Sequence, residues 1–249
     1  MKTTITYILA LFFSTLIQQS DFLSEQKKYE RVQAAFEAKG SILSEKLRIN
    51  GIQPEQLNIL IVAYKEEKVL EIFAKNLKDR NYKKLVAYPI CQQSGRLGPK
   101  WKQGDLQVPE GFYQIDRFNP VSTYYLSLGI NYPNKADYLR SDAVDRGGDI
   151  FIHGECVTVG CLPMTNDLIQ EIYLYAIQAR QNGQEDIPVY IFPFRMTKEN
   201  MSIHQEKFKE DEVLLNFWKN LKTGFDTFEK DKNPISFSVD KKGLYVFRK

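Results

Sequence analysis

The chain has 249 residues, 43% of them hydrophobic, with 34 Lys+Arg against 31 Asp+Glu and a formal net charge of +3. That is enough chain to bury a sizeable core in one domain with flanking segments. Bases interleave with acids, as in Lys65-Glu66-Glu67-Lys68 and Lys207-Phe208-Lys209-Glu210, which is the pattern of a solvated surface and argues against nucleic acid as a partner.

At the N-terminus, Met1-Lys2 precedes an apolar run from Ile5 to Ile17, which ends at polar Gln18-Gln19-Ser20-Asp21. A basic start and an apolar core of about a dozen residues match an export signal and fall short of the ~20 that span a membrane. Residues 1–20 are therefore expected to send the protein to a bacterial periplasm or cell envelope. No A-x-A cleavage site follows, so the same segment serves as a membrane anchor if it is retained. Residues 21–50 form a helical lead-in. Over 24–46, Tyr29, Val32, Ala35, Phe36, Ile42 and Leu43 fall near a 3.6-residue period, with Gly40-Ser41 as a point of breakage.

Strand patterns fill residues 51–195. The apolar run 58–64, the charged tip 65–68 and the run 69–74 predict a β-hairpin, and 84–90 a third strand leading to Cys91. Gly and Pro then punctuate Ser94-Gly95-Arg96-Leu97-Gly98-Pro99-Lys100 and Val108-Pro109-Glu110-Gly111, marking tight loops. Further strands are expected at 112–117 and 124–128, a turn at Asn131-Tyr132-Pro133-Asn134, and a short helix or ordered loop at 135–144. Thr165 is a good N-cap for a helix whose stripe is Leu168, Ile169, Ile172, Tyr173, Ala176 and Ile177, ended by Asn182-Gly183. A strand at 188–194 closes this region. Residues 196–249 follow as a C-terminal appendage, with an amphipathic helix over 211–228 and short strands at 235–239 and 244–247.

The chemistry concentrates in Phe151-Ile152-His153-Gly154-Glu155-Cys156-Val157-Thr158-Val159-Gly160-Cys161. A short apolar run delivers His153 onto a glycine, and Cys161 follows a glycine just ahead of the helix start. An imidazole that takes the thiol proton and a helix N-terminus that stabilises the thiolate make cysteine a useful nucleophile. Gly154 and Gly160 let the backbone approach a substrate closely. The other histidine, His204, stands in a polar segment and reads as a surface residue. Three cysteines in an exported chain leave an odd one. Cys91 with Cys156, freeing Cys161, is one arrangement and three thiols another; spacing alone does not choose. His153, Cys156 and Cys161 also offer three zinc ligands, but without the paired spacing usual for zinc.

His153-Gly154 followed by Thr158-x-Gly160-Cys161 resembles the L,D-transpeptidase (YkuD) superfamily, in particular its YafK-like branch. Leu97-Gly98-Pro99-Lys100, Gly104-Asp105, Pro109-Glu110-Gly111-Phe112-Tyr113 and Asn131-Tyr132-Pro133-Asn134 extend the resemblance over about 58–194. Val159 stands where the better-known branch carries a second histidine. The resemblance implies a mainly β fold with peripheral helices, a β-sandwich or partly open barrel with a helix after the catalytic cysteine. It further implies cysteine-dependent acyl transfer on peptidoglycan stem peptides, without cofactor or metal. Cys161 would be the nucleophile, His153 the base, the Gly160 and Cys161 amides the oxyanion donors, and Thr158 the residue orienting the loop. Arg96, Lys100 and Arg146 are candidates for substrate carboxylates, and Tyr124 or Tyr125, but not both on alternating strand positions, for the cleft wall. The motif does not choose between an amine acceptor, which gives a transpeptidase, and water. With water, the enzyme would be a hydrolase of the wall or of a wall-attached lipoprotein. A catalytically silent wall-binding module is the remaining alternative.

Overall fold

The computed structural model describes residues 22–248, so the export signal read in 1–20 lies outside the described residues. Its organising strand is β1 (Leu57–Tyr64). Ile59, Ile61 and Ala63 enter one apolar cluster while Leu60, Val62 and Tyr64 enter a second. Period-2 alternation between two cores is why the run is apolar at nearly every position.

Around β1 the sheet has eight strands in the order β3-β2-β1-β8-β4-β5-β6-β7. These are β2 (Val69–Asn76), β3 (Lys83–Pro89), β4 (Gly111–Asn119), β5 (Ser127–Ile130), β6 (Phe151–His153), β7 (Leu162–Pro163) and β8 (Pro188–Phe192). Most neighbours are antiparallel; β1 with β8 and β6 with β7 are parallel. The sheet curls until its edges approach one another, and the Cys91 N–H donates to the Pro163 carbonyl at 3.0 Å. The fold is thus mainly β, a partly open barrel with helices outside, as the family resemblance implies.

On one face lie α2 (Glu30–Ile49), preceded by the short α1 (Phe22–Gln26), and α4 (Asn166–Gln181). α2 runs straight through Gly40-Ser41. A glycine inside a helix costs about 1 kcal/mol, which the burial of Ala35, Leu43 and Leu47 on either side outweighs. On the other face lies the C-terminal segment, where α6 (Glu212–Asp231) and the hairpin β9 (Phe237–Val239) and β10 (Tyr245–Phe247) build the second cluster. α3 (Lys135–Arg140) and α5 (Lys198–Lys207) add Ala136 and Met201 to the same cluster.

Several sequence expectations are corrected. α5 has too weak an apolar stripe to be read from periodicity. Its His204 is buried rather than a surface residue, stacked on Phe194 with ring centroids 3.8 Å apart and paired with Glu66 at 2.9 Å. Lys65 belongs not to a solvated tip but to the interior, where its ammonium donates to the Gly98 and Val108 carbonyls and to Glu110 Oε1 at 2.8–2.9 Å. Glu110 in turn accepts from the Gly98 N–H and the Trp218 indole. The pair locks the 95–110 loop to β1 and α6. The strand expected from 124 begins only at Ser127, because Tyr124 and Tyr125 form a turn with Tyr125 at φ 70°.

Candidate active site

β6 and β7 run parallel with Ile152 opposite Leu162 and His153 opposite Pro163. Cys161 immediately precedes β7, so the register sets it beside Phe151, two residues along β6 from His153. The thiol lies against the backbone there: Cys161 Sγ–H points at the Asp149 carbonyl at 3.7 Å, and the Phe151 N–H donates to the sulfur. His153 is buried, and its Nδ1 lies 2.5 Å from the Gly154 carbonyl. With Nδ1–H donated to that carbonyl, Nε2 is left as the basic nitrogen. The sequence named no group to orient His153; it is a backbone oxygen, which no side-chain pattern reveals. The ring of Tyr124 covers His153 at 4.7 Å between centroids.

The loop between the two residues is tied at both ends. At its start, the Glu155 N–H donates to Asn166 Oδ1 at 2.9 Å, with Glu155 at φ 63°. At its end, Thr158 Oγ1 accepts from the amides of Gly160 and Cys161 at 3.3 and 2.9 Å and donates to the Cys161 carbonyl. The Thr158 hydroxyl thus ties together the turn before Cys161, and the two amides expected as oxyanion donors are engaged by it. In the middle, Cys156 is disulfide-bonded to Cys91, with Cα atoms 5.7 Å apart, which leaves Cys161 as the free thiol. With Cys156 so bonded, the zinc trio lacks a thiolate.

Leu106, Tyr125, Asp149 and Glu155, four of the six described non-glycine residues at positive φ, lie in this loop or flank it in sequence or space. Such conformations cost roughly 1–3 kcal/mol each and concentrate where geometry serves function. Gly160, at φ 128°, packs so closely that a Cβ there would meet the Gln107 carbonyl at 2.9 Å.

Burial pushes the Cys161 thiol above its ordinary value; the Phe151 N–H and the charge of Lys100 partly offset this, and the charge of Asp149 adds to it. Burial also pushes the His153 imidazole down, against the Gly154 carbonyl and the charge of Glu155. The resting pair is therefore neutral thiol and neutral imidazole. The helix N-terminus does not change this: α4 starts beyond β7 and Met164, and its dipole fades within a turn.

The remaining candidates separate. Tyr124 stands at the site and is exposed, while Tyr125 turns the other way, its hydroxyl accepting from Gln170. One tyrosine per face was expected from strand alternation; the turn produces it instead. Lys100 is buried, its ammonium donating to the Asp105 carboxylate and the Lys102 carbonyl, and so is spent internally rather than presented to a substrate carboxylate. Arg146 donates to the Tyr138 and Ser141 carbonyls and braces its own loop. Arg96 is exposed and lines a cavity of about 260 Å³ with Leu97, Trp101, Phe208 and Val213. That cavity stops at Gln107, the residue that backs Gly160. Gln107, Asn166 and Arg31 were not singled out from sequence. The first acts through its backbone, and the other two make contacts remote in sequence.

A family model for the L,D-transpeptidase catalytic domain (YkuD) matches residues 58–191. YafK of Escherichia coli K12, which carries a provisional L,D-transpeptidase name, is 41% identical over 194 residues, 77% of this chain and 74% of its own. Its counterpart in strain O157:H7 gives the same figures. Among solved structures, the helical cell shape determining protein Pgp2 of Campylobacter jejuni is similar over 74% of this chain and 73% of its own, at 18% identity and a TM-score of 0.44. Bd1075 of Bdellovibrio bacteriovorus is similar over 74% and 75%, at 20% identity and a TM-score of 0.39.

Proposed function

The chain belongs to the L,D-transpeptidase (YkuD) family, and from that premise we propose that it catalyses cysteine-dependent acyl transfer on peptidoglycan stem peptides. One observation carries the assignment of roles. The free thiol of Cys161 sits beside Phe151, two residues from a buried histidine whose Nδ1 is already committed to a carbonyl.

In this reading Cys161 Sγ attacks the carbonyl of the amide joining an L-centre to D-alanine, while His153 Nε2 takes the thiol proton. The C–N bond breaks as that proton passes to the leaving amine, which departs as D-alanine and leaves a thioester. An amine of a second stem then attacks the thioester, His153 takes its proton, and Cys161 leaves as the thiol. Water in place of the amine gives the hydrolase, on a stem peptide or on an amide to a wall-attached lipoprotein. Because both neutral partners are desolvated, proton transfer accompanies attack rather than preceding it. The Gly160 and Cys161 amides serve the oxyanion once the substrate oxygen displaces the Thr158 hydroxyl; each such donor is worth about 3 kcal/mol.

The disulfide and the export signal read in 1–20 support action outside the reducing cytoplasm. Acylation tests the nucleophile directly. A carbapenem is expected to add its mass to Cys161 and to leave Cys161→Ala unmodified; an unmodified wild type contradicts the assignment.

A further inference from the structure

The edge strands β3 and β7 meet beside the proposed nucleophile. Cys91, just beyond β3, donates its N–H to Pro163 of β7 and its sulfur to the bond with Cys156. That bond reaches the middle of the loop that runs from His153 to Cys161. Val157 and Val159 on either side of Thr158 are 51% and 72% exposed, so apolar packing does little to hold this stretch. Its other ties lie toward its ends: the Gly154 N–H to the Leu126 carbonyl, the Glu155 N–H to Asn166, the packing of Gly160 on Gln107, and the Thr158 hydroxyl, which binds the loop to itself.

We propose that the Cys91–Cys156 disulfide is a positioning element for the nucleophile loop, so that turnover requires it to be oxidised. The proposal rests on the acyl-transfer reading above. Reduction adds two electrons and two protons, breaks the S–S bond and leaves thiols at 91 and 156. A phosphine supplies the electrons and becomes the phosphine oxide, taking its oxygen from water. The centre of the loop then comes away from the β3 edge. Cys161 loses its seat between Asp149 and Phe151, while the two cores, which contain neither cysteine, persist. A displacement of about 1 Å at a reacting atom is enough to cost on the order of a hundredfold in rate. The consequence is a protein that folds with or without the bond but works only with it. A reductant also keeps Cys161 a thiol, so any loss it causes arises elsewhere than at the nucleophile.

The test uses the full chain, oxidised, then treated with a water-soluble phosphine, beside the Cys91→Ser/Cys156→Ser variant. D-alanine release from disaccharide-tetrapeptides, iodoacetamide alkylation of Cys161 by peptide mapping, and far-UV circular dichroism are read in parallel. Reduction is expected to lower kcat about tenfold or more with KM little changed. It should also raise alkylation of Cys161 about fivefold as the thiol becomes accessible, with the circular dichroism unchanged. Removing the phosphine and reoxidising should restore the rate, whereas the double variant should be slow and indifferent to phosphine. Full activity in the reduced protein, or a loss that accompanies global unfolding, overturns the proposal. If instead the oxidised protein is no more active than Cys161→Ala, the acyl-transfer reading fails. The alkylation arm, which needs no substrate, still decides the tether: an unchanged rate on reduction overturns it.

Discussion

The ring of Tyr124 lies 4.7 Å from the imidazole of His153, tilted by 34°, in a turn held by the lead-in helix. Arg31 of α2 donates to the carbonyls of Ser122 and Tyr125 on either side of it. The lead-in helix, outside the matched catalytic span of 58–191, thus helps to place the residue that covers His153. Tyr124→Ala should lower kcat/KM about tenfold and Tyr124→Phe should keep most of it, since the contact is made by the ring. Arg31→Ala should reproduce part of the Tyr124→Ala loss. Steady-state kinetics on muropeptides, with an equal rate for Tyr124→Ala as the contrary result, checks the pair.

Gly160→Ala should be severe. The backbone there has φ 128°, and the added Cβ meets a backbone carbonyl, that of Gln107, at 2.9 Å. Neither atom is the flexible end of a side chain, so the Cys161 loop must move. A loss of about a hundredfold in kcat is expected with retained circular dichroism; wild-type kcat would show that the loop tolerates displacement.

The pH dependence of Cys161 follows from burial. A thiol raised above its ordinary 9.0 beside an imidazole lowered from 6.5 remains a neutral pair at neutral pH. Alkylation by iodoacetamide, which consumes thiolate, should therefore climb through neutrality to a midpoint above 9.0. A preformed thiolate–imidazolium pair would instead give a reactive plateau on the acid side of neutrality, and observing one contradicts the neutral pair.

Lys65 and Glu110 are both buried, and removing one partner strands the charge of the other. Lys65→Met should cost about 3–5 kcal/mol, read as a lower urea midpoint. Lys65→Met/Glu110→Gln should recover part of it, because no uncompensated charge stays buried. A single variant as stable as wild type would show that water reaches the pair.

What was legible in the sequence was whatever local pattern encodes. The buried run of β1, the Thr165 cap and the stripe of α4 announced themselves, and His153 and Cys161 stood out through their glycines. Contacts between distant segments were not legible. Lys65 reads as a surface charge until Glu110, 45 residues away, is seen to meet it. His204 reads as polar surface until Phe194 and Glu66 close over it. Lys100 and Arg146 carry the charge that suits a carboxylate, but their donors are consumed by neighbouring oxygens that composition does not show. The group that orients His153 is a carbonyl and has no residue type to search for. Cys91 with Cys156 was one of two arrangements that spacing left open; the fold, which brings the end of β3 to the loop before β7, is what pairs them.

The most direct measurement is product analysis by mass spectrometry after incubating the protein lacking residues 1–20 with purified disaccharide-tetrapeptides, alongside Cys161→Ala and His153→Ala. Acyl transfer by this pair should release D-alanine and yield cross-linked dimers, or tripeptides if water is the acceptor, with both variants inactive. Product formation undiminished in Cys161→Ala, or wild-type protein that forms neither product nor an acyl adduct on Cys161, would contradict it.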